Sequence, residues 1–431
     1  MHWLLNVRID KTSFLVPLAA VVTVVTLYLL IRVPWRRGTL VNIAGAVVGA
    51  LTGLVVSWLV SDVWNVFGLP LTAMTRMWVA AAFAGVFLAV VNFCVAPGWW
   101  RKVIATMFVP LVTVAAAAGI NADYGAYRNL NDALGTVPVA ALPAPRPSPR
   151  AAAMDPQLGR HWVGPVGMPA HGTVGAVTIP GATSHFAARQ AIIYLPPAAL
   201  VSDPPTLPVV MLFAGQPGAP SDVFTSGQVA ATYDAYAAAH NGLAPIVVAA
   251  DQLGAPLQNP MCVDSPIGNV ATYLTIDVPA WLHAHFKVAD GPRYWAVGGY
   301  SEGGTCAVQF GSGHPELFGS FVSALPELQP TIGPDTVAKG FGGSAVAYRA
   351  AQPLTMMGAH APYRDTFAII GTGVRDAVFT QYARELSAAS RRAGIATQLM
   401  IAQGSGHDWN TVRFVYASAL PQLADRMGLG R

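Results

Sequence analysis

The sequence predicts two structural units: a bundle of four membrane-spanning helices, then an α/β domain on a mostly parallel sheet. Three observations lead there. The first 120 residues hold four apolar stretches of bilayer length, and β-like and helical runs alternate through the second half. Only 11% of the 431 residues are charged and the mean hydropathy is +0.46, too apolar for a wholly water-soluble chain.

The apolar stretches run over Ser13–Val33, Thr39–Val60, Met77–Ala96 and Val103–Ile120, each near the roughly 20 residues that a hydrocarbon core requires. A cleaved signal peptide would supply one such stretch, not four. Arg32, Arg36 and Arg37 crowd the first connection and Arg101 with Lys102 the third, whereas the second carries Asp62 and, at its edge, Arg76. Basic connections stay cytoplasmic, so everything after Ile120 is expected outside the cell membrane. The second span carries Gly45, Gly49 and Gly53 on one face, a register that admits a close helix neighbour in a compact bundle or at a homo-oligomer seam. No span has a charge at its centre, which argues for an anchor over an ion path; Asn42 and Asn92 are candidate polar glue.

Residues 1–120 are thus the membrane unit, 121–154 a linker whose alternating prolines favour extended geometry, and 155–431 the second domain. Strands are expected at Thr173–Ile179, Arg189–Leu195, Val209–Phe213, Ile246–Ala250, Tyr294–Val297, Ser320–Ala324, Phe367–Ile370 and Thr397–Ile401. Helices are expected at Ser226–His240, Asn269–His285, Glu302–Gly311, Val378–Ala393 and Thr411–Met427. A sheet of this kind carries its chemistry on loops at the carboxyl ends of the strands.

One stretch organises that rim. Tyr294 to Val297 reads as a buried strand, Gly298-Gly299-Tyr300-Ser301-Glu302-Gly303-Gly304 as a sharp turn, and the small residues after it as a helix. A serine on such a turn has its hydroxyl lifted clear of the sheet, and Gly299 and Gly303 let strand and helix pass close beside it. Ser301 is the candidate nucleophile. The five-letter pattern is common in a chain with 42 glycines, so its weight comes from the strand before it and the histidine after it.

That histidine is His407, the one of ten that stands in a glycine-flanked turn after the last strand, where a general base can reach Ser301. The acid should lie between them in chain order; Asp376, at the end of the strand begun at Phe367, fits better than Glu327, Asp365 or Glu385, and Asp408 is too close to His407 to face its ring. An oxyanion needs two N–H donors. The helix start supplies Glu302, and the turn after Phe213 supplies Gln216, since Pro217 has no N–H. Cys94 lies in a span, leaving Cys262 and Cys306 either bridged, if this half faces an oxidising compartment, or two buried thiols. No metal-ligating constellation or phosphate loop appears, so neither metal nor cofactor is expected, and the scattered basic residues leave no nucleic-acid footprint.

From about Gly172 to Leu429, the chain resembles the α/β-hydrolase fold and, within it, the esterase D group that includes the secreted mycolyltransferases. The residues that carry this are Gly299-Tyr300-Ser301-Glu302-Gly303-Gly304, Gly406-His407-Asp408-Trp409 and Phe213-Ala214-Gly215-Gln216. It is also similar to membrane-tethered esterase-like proteins of actinobacteria, in which several spans precede such a domain. It departs at Ala214, where many esterases have histidine and mycolyltransferases aspartate. The resemblance implies an α/β-hydrolase domain with a Ser301, Asp376, His407 triad and acyl transfer through an acyl-enzyme.

The expected function is that of a multi-pass, membrane-anchored serine esterase whose catalytic domain faces outward and whose substrate is an acyl or lipid ester. The alternatives are an acyltransferase moving the same acyl group to a sugar or glycolipid hydroxyl, and a membrane scaffold with an inactive hydrolase domain. An intact serine, acid and histidine set argues against the scaffold.

Overall fold

The computed structural model describes residues 5–32, 35–64, 66, 70–95, 98–135, 139–142 and 153–430. It divides into two compact units, residues 1–137 and 138–431.

The first unit contains α1 (Thr12–Leu30), α2 (Trp35–Trp58, running into a π-helical turn, Leu59–Val63), α3 (Ala73–Val95) and α4 (Trp99–Tyr124). All four are long and apolar enough to cross a membrane. α3 and α4 start about a turn before the apolar stretches, because a helix can continue through less apolar end residues such as Arg101 and Lys102 that hydropathy excludes. The expected glycine face is used inside the chain. A Cβ on Gly49 would stand 2.8 Å from Phe87 Cβ and 2.9 Å from Ala84 Cα, and one on Gly53 would be 2.8 Å from Ala80 Cα, so the face lies against α3 within the bundle.

Asn42 and Asn92 are joined within this unit. Asn42 Nδ2 donates to Leu29 O (2.8 Å), Asn92 Nδ2 to Leu88 O (2.9 Å), and Arg101 Nε to Asn92 Oδ1 (2.6 Å). The Arg101 guanidinium also donates to the carbonyls of Tyr28 (2.7 Å), Leu29 (2.6 Å) and Ile31 (3.0 Å). These are the end carbonyls of α1, which no intrahelical N–H can satisfy.

The second unit is an eight-stranded sheet of β1 (Thr173–Val177), β2 (Ala191–Leu195), β3 (Val209–Phe213), β4 (Ile246–Ala249), β5 (Trp295–Tyr300), β6 (Ser320–Ala324), β7 (Phe367–Gly373) and β8 (Ala396–Ala402). Their spatial order is β1-β2-β4-β3-β5-β6-β7-β8. β1 and β2 pair antiparallel, β2 joins β4 antiparallel, and every pair from β4 to β8 is parallel. β2 to β6 are buried in nearly every residue, as strands covered on both faces must be. The principal helices are α5 (Val229–Ala239), α6 (Val278–His285), α7 (Glu302–Gly313), α8 (Ala377–Arg392) and α9 (Trp409–Arg426).

All eight expected strands are present, with two instructive differences. Gly298 and Gly299 extend β5, pairing with Leu212 and Phe213 on one side and Val322 and Ser323 on the other; glycines read as a turn are strand because flat backbone packs there. Arg189 leaves β2 because Asp251 holds both its amide and its guanidinium. Two expected helices differ as well: the one expected at Ser226–His240 begins only at Val229, because Gln228 stands at φ +56°, and the one expected at Asn269–His285 is interrupted by a π-helical turn, Tyr273–Asp277, before α6. Of the expected linker, residues 136–138 and 143–152 lie outside the described residues; its opening is not extended, since α4 runs on to Tyr124 and a short helix spans Leu130–Leu134. Within it, Leu142 N donates to Ala176 O (3.0 Å) and Ala176 N to Ala140 O (2.8 Å), which adds a short parallel bridge to the edge of β1.

Candidate active site

Because β3, β5, β7 and β8 run parallel, their carboxyl ends share one rim, and the loops that follow carry Gln216, Ser301, Asp376 and His407. Ser301 occupies φ +56°, ψ −120°, a conformation that L-residues avoid. The surroundings enforce it. Its N–H donates to Ala324 O at the end of β6 (2.9 Å), and its carbonyl accepts from Thr305 N (3.0 Å) in α7. A Cβ on Gly299 would collide with the Gly303 carbonyl, and one on Gly303 with that of Ala214. Two glycines therefore let β5, α7 and the end of β3 close around the serine.

His407 Nε2 is 3.0 Å from Ser301 Oγ. Its Nδ1 is buried, with no closer partner among the described residues than Asp376 Oδ2 at 3.4 Å, a looser approach than the serine contact. The side chains of His407 and Asp376 are only 15% and 17% exposed. Phe379 meets the imidazole edge-on, centroids 4.4 Å apart, which orients the ring and shields it from water. The ring is presented by the turn after β8. There Asp408 caps α9, accepting from Asn410 N and Thr411 N, and also holds Ser405 Oγ (2.5 Å) and Gly406 N (2.6 Å). Asp408 is thus occupied in shaping the turn, as its closeness to His407 predicts.

Asp376 caps α8, its Oδ1 accepting from Phe379 N at 3.0 Å. Burial pushes this carboxyl up, but the imidazole of His407 and the N–H of Phe379 outweigh burial and leave it below the ordinary carboxylate range. Of the rival acids, Asp365 pairs with Arg426 at 2.8 Å, and Glu327 is raised by burial to about 7.

Glu302 and Gln216, the expected oxyanion donors, lie at the start of α7 and in the turn after β3. Glu302 opens α7, so its N–H has no intrahelical acceptor. Among the described residues, nothing accepts from the N–H of either. The Gln216 side chain has other work: its Nε2 donates to Leu257 O (3.1 Å) and its Oε1 accepts from Asn259 Nδ2 (2.9 Å), fixing the turn.

Three residues beneath this layer escaped the sequence reading. Asp251, fully buried, pairs with Arg189 at 2.6 Å, and Arg189 Nη1 holds Gly218 O (2.9 Å) in the turn after Gln216. Gln252 Nε2 donates to Ala214 O (2.6 Å) and to Glu302 Oε2 (2.9 Å). The signal was available: a polar pair directly follows the buried parallel strand β4. Cys262 and Cys306 are bridged, with Cα atoms 5.5 Å apart. Cys262, Cys306 and the Glu302 carboxylate form a compact potential ligand set, but the bridge takes both thiolates out of it, so they do not fit a metal.

The Esterase family model, described as "Putative esterase", matches residues 187–418, more than half of the chain and the whole of the rim from β2 to α9. The chain belongs to the Esterase family. An uncharacterized protein of Corynebacterium glutamicum is 37% identical over 262 residues, 59% of this Esterase chain and 61% of that protein. The chain therefore spans about three fifths of the length of the curated relative it matches. A ferulic acid esterase shares the fold with a TM-score of 0.52 at 17% identity, over 60% of this chain and 99% of its own. An S-formylglutathione hydrolase from Agrobacterium tumefaciens does so with 0.51 at 21% identity, over 60% and 97%. The α/β-hydrolase fold expected from the sequence is the fold observed.

Proposed function

We propose that this chain is a membrane-anchored serine esterase, in which Ser301 is the nucleophile, His407 the general base and acid, and Asp376 the acid that steadies the imidazole. The observation that carries the reading is the 3.0 Å approach of His407 Nε2 to Ser301 Oγ, with Asp376 behind the ring. As Ser301 Oγ attacks the ester carbonyl, its proton passes to Nε2, and the imidazolium is stabilised by the ionised Asp376. The carbonyl oxygen becomes an oxyanion held by the N–H groups of Glu302 and Gln216. Collapse expels the alcohol with the proton from Nε2 and leaves acyl-Ser301; a water activated by the same nitrogen then releases the acid and restores the serine. The asymmetry of basic residues between the connections supports a cell-membrane location with the catalytic unit on the outer side.

The shielding of the histidine favours a second reading of the same intermediate, transfer to a hydroxyl acceptor such as a sugar or glycolipid, since a site that limits water lets an acceptor compete. Detergent-solubilised protein incubated with a fluorophosphonate should label at Ser301 and not in Ser301→Ala. Absence of labelling in folded protein would leave only a scaffold. Product analysis of an acyl ester with and without a sugar acceptor separates hydrolysis from transfer.

A further inference from the structure

Glu302 lies next to the nucleophile, yet the triad mechanism leaves its side chain without a task. It is 5% exposed, and the side chains in contact with its carboxyl, Gln252, Cys262 and Cys306, are all uncharged. Gln252, itself fully buried, donates Nε2 to Ala214 O, which fixes the orientation of its amide because a carbonyl only accepts; the same nitrogen donates to Glu302 Oε2. The other oxygen, Oε1, is 3.0 Å from Cys306 Sγ, a sulfur committed to the bridge with Cys262 that has no proton to give. Among the described residues, the ionisable groups acting on Glu302 are Glu327, from the loop after β6, and Asp251, after β4, both acidic; Arg189, the cation of this network, is bound to Asp251.

We propose that Glu302 is a protonated carboxylic acid that positions the oxyanion hole, tying α7 through Gln252 to the Ala214 carbonyl and so to the turn carrying Gln216. Burial pushes this carboxyl up to about 8, with Glu327 and Asp251 adding to the rise and Gln252 opposing it. Loss of the proton to solvent leaves a buried anion one residue from the serine, where it opposes the oxyanion that must form there. The site then has an alkaline limit set by Glu302.

The inference rests on the esterase reading, and the test separates the two. Full-length protein in detergent is titrated from pH 6 to 9.5 with a short-chain nitrophenyl ester, and fluorophosphonate labelling of Ser301 reports the competent site at each pH. Failure of labelling in the wild type, or turnover in Ser301→Ala, would sink the esterase reading. With labelling intact, kcat is expected to fall about tenfold between pH 7 and pH 9 for a group near 8. In Glu302→Gln the ratio of kcat at pH 9 to that at pH 7 rises tenfold, whatever its absolute activity. Should Glu302→Gln not fold, Gln252→Met serves: it removes the donor that favours ionisation, so the limb moves to higher pH. A wild-type kcat flat to pH 9.5, or a limb unmoved in both variants, overturns the proposal.

Discussion

Replacing Asp376 by asparagine tests the assignment of the acid most directly, because the two roles of this residue respond differently. As the cap of α8, Asp376 accepts from Phe379 N, and asparagine caps a helix about as well, so the fold should survive. As the partner of His407, it supplies the charge that offsets the imidazolium, and asparagine supplies none. In a tight triad, that loss costs about 10⁴ in kcat. Here the Nδ1 to Oδ2 distance is 3.4 Å, beyond the about 2.7–2.9 Å of a charge-assisted bond, so a smaller loss is expected, about 10²–10³, or about 3–4 kcal/mol on the barrier. Asp376→Ala should lose the same activity and a further ~1 kcal/mol of stability with the cap. Steady-state kcat on a soluble ester, with chemical denaturation of each variant, measures both. If Asp376→Asn keeps kcat within threefold of wild type while Ser301→Ala is inactive, the acid is another residue.

The buried acids make stability fall with pH. Glu302 and Glu327 are held at about 8 and about 7 against an ordinary 4.5, so the native state keeps protons that the unfolded chain has released. Their unfavourable contribution therefore grows as pH rises from about 4.5 towards 8. Asp376 acts in the opposite sense, its contribution present above the ordinary value and lost in acid. Melting temperatures in detergent should decline from pH 5 to pH 8, less so in Glu302→Gln; equal slopes would contradict the assignment. Reducing the Cys262–Cys306 bridge, whose cysteines are 44 residues apart, should cost about 4 kcal/mol by loop-closure entropy, read as a lower denaturant midpoint. Gly49→Leu should drive a side chain into Phe87 and Ala84 of α3 and cost about 1–3 kcal/mol, seen as a loss of folded protein extracted from membranes.

The fold was legible because its signals are periodic and long. Four apolar stretches and a strand–helix alternation survive errors at their ends, and the order of serine, acid and histidine along the chain matches the order of loops along the rim. Local chemistry was legible where it is contiguous, as in the turn about Ser301. Contacts joining distant segments were not. Nothing in the sequence says that Arg189 would be drawn off β2 by Asp251, or that Gln252 would join Ala214 to Glu302, since each depends on which strands become neighbours. The glycines of α2 show the same limit from the other side: spacing reveals a face made for close approach, and only the packing says that α3 fills it.

The fastening of α1 by Arg101 bears on how the chain is made. The carbonyls at residues 28, 29 and 31 emerge from the ribosome about seventy residues ahead of the guanidinium that will satisfy them. Until α4 arrives they lack this donor, so the first helix of the bundle is completed by the fourth. A protein truncated before residue 101 would leave the end of its first helix without this donor.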